Sequence, residues 1–245
     1  MIIVSRDNKL IKYAKKLQDR SFSSSEGKTL VESPKIIKEL LDNRCIEVET
    51  VFTTNLDDID VVTEAKIYQI SDTVAKYLAQ TESTTGVFAI VKIPNKKGIC
   101  KDKFVVLDNI QDPANYGAII RSAVAFGYTQ ILDINCCYAY SNKVTRASMG
   151  NNFKVNITKV DIDDIVHLLE SGDVDLICCD MNGNDIKNSR PSKAKFGIII
   201  GNEGNGVSKD LRKLATKTVC IPMQNGVESL NASVSAGIIM YNYNK

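Results

Sequence analysis

No two cysteines of this chain stand in a C-x-x-C spacing, no apolar run approaches the roughly 20 residues of a membrane span, and there is one histidine in 245 residues. Each absence removes a class of function. The seven cysteines, at positions 45, 100, 136, 137, 178, 179 and 220, include two adjacent pairs, and sequence neighbours rarely chelate a metal together. No metal site is expected. Most of these cysteines sit in or beside apolar runs such as Leu176-Ile177-Cys178-Cys179, which reads as small core residues in a reducing compartment. His167 lies inside Ile165-Val166-His167-Leu168-Leu169, a helical pattern with no serine loop nearby, which argues against a Ser-His-Asp hydrolase. The formal net charge of +2 is too small to announce a polyanionic partner by itself. The opening Met1-Ile2-Ile3-Val4-Ser5-Arg6-Asp7 is too short and too soon charged for a secretory signal, so the expected location is the cytoplasm.

Two nucleotide motifs are missing as well. Gly201 to Gly206 has the spacing that opens a Walker A loop, but Val207-Ser208 stands where Lys-Ser/Thr must reach the phosphates and magnesium. No G-x-G-x-x-G follows any predicted strand, so a Rossmann dinucleotide site lacks support.

What is present is an ordinary globular composition, 44% hydrophobic and 24% charged, enough for one or two domains. Residues 9 to 20 fit an amphipathic helix with Lys9, Lys12, Lys16 and Arg20 on one face and Leu10, Ala14 and Leu17 on another. Such a basic stripe is either a solvated face or a polyanion contact. Ser21 to Gly27 reads as a loop. From Lys28 to about Val91, strand and helix patterns alternate into a small α/β unit, and the following Pro/Gly/Lys tract reads as a linker, giving domains at 1–94 and 101–245 joined by 95–100. In the second domain, apolar runs at Phe104–Asp108, Gln130–Asp133, Val174–Cys179, Gly197–Ile200 and Thr218–Ile221 alternate with helical patterns. They predict strands of a parallel sheet covered on both faces. The fold class is α/β throughout.

Three loops carry chemistry. After the strand ending at Asp108, Asn115 is a plausible N-cap and Gly127 a plausible C′ residue of a helix, with Arg121 in its first two turns. A cation near the positive end of a helix dipole wants an anion, either a carboxylate of the protein or a ligand. Ser141 to Ser148 adds Lys143 and Arg146 among hydroxyl and amide side chains, the residue types that contact phosphates. The Gly-rich loop after Ile198-Ile199-Ile200 and the loop from Ile221 to Val234 also follow apolar runs, and in open α/β sheets ligands gather at the carboxyl ends of strands. The segment after Ser229 begins a helix, capped by Ser or Asn, whose Ala232, Ser233, Ser235, Ala236 and Gly237 allow close approach of another backbone.

These loops together resemble the SpoU/TrmH class of RNA ribose 2′-O-methyltransferases in the SPOUT superfamily. Asn115-x-Gly117-x-x-x-Arg121 is similar to the family's first motif, Gly201-Asn202-Glu203-Gly204-x-Gly206 to its second, and Ile221-Pro222-Met223 with Glu228-Ser229-Leu230-Asn231-x-Ser233-Val234 to its third. The N-terminal unit resembles the family's RNA-substrate-binding domain, itself similar to ribosomal protein L30. Ser33 and Thr84-Thr85 depart from that domain's pattern.

The resemblance implies a homodimer whose C-terminal domain holds a deep trefoil knot, and an enzyme that methylates an RNA ribose 2′-hydroxyl, 23S ribosomal RNA before transfer RNA. S-adenosylmethionine is the implied cofactor, contacted by Gly201, Ile221, Met223, Ser229 and Leu230. Asn115, Arg121, Glu203, Ser229 and Asn231 are the implied reaction site. Lys9, Lys12, Lys16, Arg20, Lys143 and Arg146 become candidate RNA contacts. The alternatives are a non-catalytic RNA-binding protein of the same fold, against which the presence of all motif residues argues, and a small-molecule enzyme, which would show no salt-dependent RNA binding.

Overall fold

In the computed structural model, residues 2–43, 45–94, 102–170, 172–224 and 229–244 are described. The expected linker at 95–100 and Glu228 of the third motif lie outside them. The chain packs as two units, one of Met1–Asn95 with Tyr140–Phe153, the other of Lys96–Ala139 with Lys154–Lys245.

The first unit runs β1 (Ile2–Ile3), α1 (Lys9–Lys16), α2 (Arg20–Glu26), β2 (Lys28–Glu32), α3 (Pro34–Asp42), β3 (Val48–Thr53), β4 (Lys66–Ile70), α4 (Asp72–Leu78) and β5 (Val87–Lys92). Its mixed sheet has the order β1-β4-β3-β5-β2, with β5 antiparallel to both its neighbours. Ile11, Ala14 and Leu17 at α1 close over Phe52, Phe88, Val74 and Leu78. The basic helix is shorter than its pattern predicts, ending at Leu17, and a second helix replaces the expected loop. Asp19 is the reason: its side chain accepts from Phe22 N at 2.9 Å, starting α2, and Gly27 stops it in the left-handed region at φ 62°. Arg20 therefore opens α2 and does not continue the α1 stripe.

The second unit begins with β6 (Lys103–Asp108), α5 (Pro113–Ala125) and β7 (Gln130–Ile134). The next helix, α6 (Asn142–Ala147), belongs to the segment that packs with the first unit. The second unit resumes with β8 (Asn156–Lys159), α7 (Ile162–Glu170), β9 (Val174–Asp185), β10 (Lys195–Ile200), α8 (Lys209–Leu214), β11 (Lys217–Cys220) and α9 (Ala232–Asn242). All five strand pairings are parallel in the order β11-β9-β10-β6-β7-β8. Phe104, Val106, Leu132, Leu176 and Ile199 form the core of one face, as expected for strands covered on both sides.

Two differences from the sequence reading have local causes. The edge strand β8, Asn-Ile-Thr-Lys, is too polar and short to register as an apolar run. β9 continues six residues past Cys179, because a register shift lets Asn184 and Asp185 pair with Val219 and Cys220. Gly183 permits this: a Cβ there would lie 2.5 Å from the Val219 backbone.

Candidate active site

The order β9-β10-β6-β7 makes β10 and β6 the neighbours from which the chain leaves in opposite directions, the place where a doubly wound sheet opens a crevice at its carboxyl edge. Three loops converge there. The helix after β6 is capped by Asp112, whose side chain accepts from Ala114 N at 2.9 Å, with Pro113 in its first turn. Asn115 is thus inside the helix and not its cap, which frees its amide. Tyr116, fully buried, fixes the helix by donating to Asp133 Oδ2 at 2.6 Å.

The freed Asn115 side chain joins the other two loops. Its Nδ2 donates to Glu203 Oε1 at 2.9 Å, and its Oδ1 accepts from Asn231 Nδ2 at 2.9 Å. Asn231 caps α9 at the same time, its Oδ1 accepting from Ser233 N at 2.9 Å and Val234 N at 3.3 Å. Three of the candidate reaction residues are therefore one hydrogen-bonded chain.

Beside it opens a cleft of about 520 Å³ lined by Gly201, Ile221, Met223, Ser229 and Leu230, all five candidate cofactor contacts. Apolar Ile200 and Ile239 and an Asp180–Arg212 ion pair complete the walls. The volume suits a cofactor-sized ligand, and the mixture of apolar walls with loop backbone suits a purine and a polar tail. Cys179 also lines it, but burial pushes that thiol well above its ordinary pKa, and burial lifts Cys178 behind it to about 11. Neither is a thiolate at neutral pH, so neither competes as a nucleophile. Of the other described cysteines, Cys136 is buried, Cys137 and Cys220 are half-buried and Cys45 is exposed, so the core assignment fails for Cys45 and holds only in part for Cys137 and Cys220.

Arg121 is not drawn into the chain of amides. It is exposed, and with α5 starting at Pro113 it falls in the third turn, beyond the reach of the positive helix end. The dipole argument for an anion at this position does not survive that boundary. Lys9, Lys12 and Lys16 are exposed on α1, as is Arg20 on α2. Lys12 pairs with Asp7 at 2.6 Å, and Lys16 lies over the Phe22 ring at 5.8 Å. Lys143 and Arg146 are exposed on α6, which Ser141 caps.

Sequence reasoning missed Asn202, Asn109 and the Asp180–Arg212 pair. Asn202 Nδ2 donates to Asn109 O at 2.9 Å, a contact across 93 residues that no local pattern signals, although Asn202 sits inside the second motif. Asp180 and Arg212 show only as ordinary charges in sequence.

Residues 102–241 match the SpoU rRNA Methylase family, and residues 8–89 match an MRM3-like substrate binding domain. The chain is 28% identical over 250 residues to 23S rRNA (guanosine(2553)-2′-O)-methyltransferase RlmP of Bacillus subtilis, covering 98% of this chain and 97% of that one. Among solved structures it is similar to an AdoMet-bound rRNA methyltransferase from Sinorhizobium meliloti, with TM-score 0.84 and 21% identity over 99% of this chain and 96% of the other. The SpoU methyltransferase AviRb from Streptomyces viridochromogenes, in complex with AdoMet, gives TM-score 0.81 and 24% identity over 96% of both chains. At such identities the structural likeness establishes the fold.

Proposed function

The chain belongs to the SpoU rRNA methylase family and is an RNA methyltransferase, and we propose that it carries the methyl group of S-adenosylmethionine to a ribose 2′-hydroxyl of 23S ribosomal RNA. The observation that carries this reading is the Asn115–Glu203–Asn231 chain standing beside the cleft that Gly201, Ile221, Met223, Ser229 and Leu230 line. Those residues fit the cofactor and would hold it: the apolar walls suit an adenine, the loop backbone suits polar groups, and the Glu203 carboxylate among the lining residues would favour a cationic ligand. When bound, S-adenosylmethionine supplies an electrophilic methyl group with a neutral thioether as leaving group.

The protein's own residues align the acceptor and ease loss of its proton. Asn115 and Asn231 present amide groups that orient the ribose, and Glu203 holds Asn115 in the donating orientation. Arg121 is a poor proton acceptor, because a guanidinium stays protonated, and serves instead to stabilise developing alkoxide charge or to hold the adjacent phosphate. If Arg121 only clamps phosphate, Arg121→Lys retains appreciable turnover; a loss of more than about a thousandfold with RNA binding intact sinks the clamp-only version.

The same reading includes a homodimer, a deep trefoil knot in the second unit and a cytoplasmic location. Val234, Ile238 and Tyr241 recur along α9 and are exposed although large and apolar, which supports a second copy seated on this face. α9 packs on α5, where a Cβ added at Gly237 would lie 3.6 Å from Ser122 Oγ, so Arg121 stands on a helix next to that face and is assigned to a site that two copies complete. Residues 1–94 are assigned to RNA recognition and 101–245 to transfer, with Lys143 and Arg146 lying on the segment that packs with the first unit.

The test uses tritiated S-adenosylmethionine with 23S rRNA and, separately, transfer RNA, followed by alkaline hydrolysis. Label in alkali-resistant dinucleotides of 23S rRNA is the expected result. Label in transfer RNA alone moves the substrate to that class, and cofactor and RNA binding with no label in either leaves the non-catalytic RNA-binding reading.

A further inference from the structure

We infer that Asn202 is a positioning residue for the transfer reaction, tying the Glu203 carboxylate to the Asn109 carbonyl across the crevice; the inference rests on the methyl-transfer reading above. An asparagine's O and N are told apart by their partners. The Asn202 Oδ1 accepts from two backbone N–H groups, Gly204 at 2.9 Å and Asn205 at 3.1 Å, so its Nδ2 must face the other way. There it donates to Asn109 O at 2.9 Å and to Glu203 Oε2 at 3.3 Å.

The far end of the network is fixed in the same manner. Asn231 Oδ1 accepts from the backbone of α9, which turns its Nδ2 toward Asn115 Oδ1, and Asn115 in turn donates to Glu203 Oε1. Donors thus run inward from two backbone-locked amides and meet on one carboxylate, one donor on each oxygen. Asn115 and Asn202 are the hydrogen-bond partners of Glu203 among the described residues, and the side chain is otherwise exposed.

Asn109 makes a firm anchor. It sits in the left-handed region at φ 58°, donates from its N to Ile134 O at 2.8 Å, and accepts on Oδ1 from Gln111 Nε2 at 2.8 Å and Asn135 Nδ2 at 3.2 Å. Its carbonyl therefore has little freedom. A backbone bridge between Asn202 and Gly206, with N···O of 3.0 and 2.9 Å, closes the Gly-rich loop behind the amide. Without the Asn202 donor, Glu203 keeps one partner, and the part of the loop that carries it loses its bond to Asn109, while the Ser208 N–H still holds the loop's far end to Asp108 Oδ2 at 2.7 Å.

The test is Asn202→Asp. An aspartate keeps an acceptor for the Gly204 and Asn205 N–H groups but turns a second oxygen toward the Asn109 carbonyl and Glu203. The single-turnover transfer rate is expected to fall about 10–100-fold, the loss that small misplacements of a reacting group produce, while RNA KM stays within about threefold and the melting temperature barely moves. Combining Asn202→Asp with Glu203→Gln restores a donor facing a carboxylate, so the double variant is expected to be faster than the product of the two single losses allows. A rate within about threefold of wild type for Asn202→Asp, a loss that tracks the folded fraction, or strictly multiplicative losses overturns the inference. A readout independent of activity is the carboxyl ¹³C shift of Glu203, expected to move in Asn202→Asp. An unmoved resonance overturns the inference even if the wild-type protein labels no RNA, an outcome that separately removes the transfer reading.

Discussion

At the residue scale the Gly-rich loop is set by one close approach. A Cβ on Gly201 would lie 2.2 Å from the Gly206 carbonyl carbon and the Val207 nitrogen, backbone atoms that cannot swing aside, whereas at Gly204 the nearest atom would be Asn202 Oδ1 at 3.6 Å. Gly201→Ala is therefore expected to weaken S-adenosylmethionine binding by more than about tenfold, since it moves the cleft wall itself, and Gly204→Ala by clearly less. Titration calorimetry of the two variants checks this, and equal affinities would remove Gly201 as a shaping residue. Asn231 combines two tasks in one side chain, capping α9 and donating to Asn115. Asn231→Asp keeps the cap acceptor and loses the donor, so transfer is expected to collapse at nearly unchanged melting temperature. Asn231→Ala loses both, adding roughly 1 kcal/mol of cap loss and a fall of about 2–4 °C.

At the element scale, caps decide what patterns leave open. The α1 stripe and the buried strands were legible because periodicity reports a face directly: Ala14 and Leu17 are buried while Lys9, Lys12 and Lys16 are exposed. The α1–α2 break was not, because Asp19 overrides a continuous amphipathic pattern through one side-chain bond. The start of α5 was misplaced by the same mechanism, Asp112 competing with Asn115 as cap. α9 shows the opposite case, an element whose small residues signalled close packing without naming the partner. Part of it packs on α5, where Phe126 meets Tyr241 edge-on at 5.8 Å, and the remainder exposes Val234 and Ile238. If two copies pair through this face, Ile238→Asp, which places a charge in the middle of that exposed stripe, is expected to leave a monomer in sedimentation velocity where the wild type is a dimer, with methyl transfer falling alongside. A dimer of unchanged stability would move the interface elsewhere.

At the scale of the whole molecule, the three motifs that meet at the candidate site could be read from the chain, yet what joins them could not. Glu203 meets Asn115 across 88 residues and Asn231 meets Asn115 across 116, so their hydrogen bonds follow from strand order and not from any local spacing. The same limit hid the placement of Lys143 and Arg146, which follow the first motif in sequence but fold with the first unit, where Thr29 Oγ1 donates to Tyr140 O at 3.0 Å. That placement makes a prediction about division of labour. If the first unit holds the RNA and the second performs transfer, charge removal on the first unit changes RNA affinity alone. Each phosphate contact contributes a slope of about −0.7 to −0.9 in log K against log salt, so Lys9→Gln, Lys16→Gln, Lys143→Gln and Arg146→Gln together are expected to reduce the slope by up to about 3–4. Cofactor affinity and the single-turnover rate at saturating RNA should stay at wild-type values if transfer depends on the cleft and the Asn115–Glu203–Asn231 chain, which the second unit builds from its own residues. Filter binding across a salt series, run beside the transfer assay, checks both halves. An unchanged slope would place the RNA on other surfaces, and a fall in the saturated rate would mean that these cations also position the ribose.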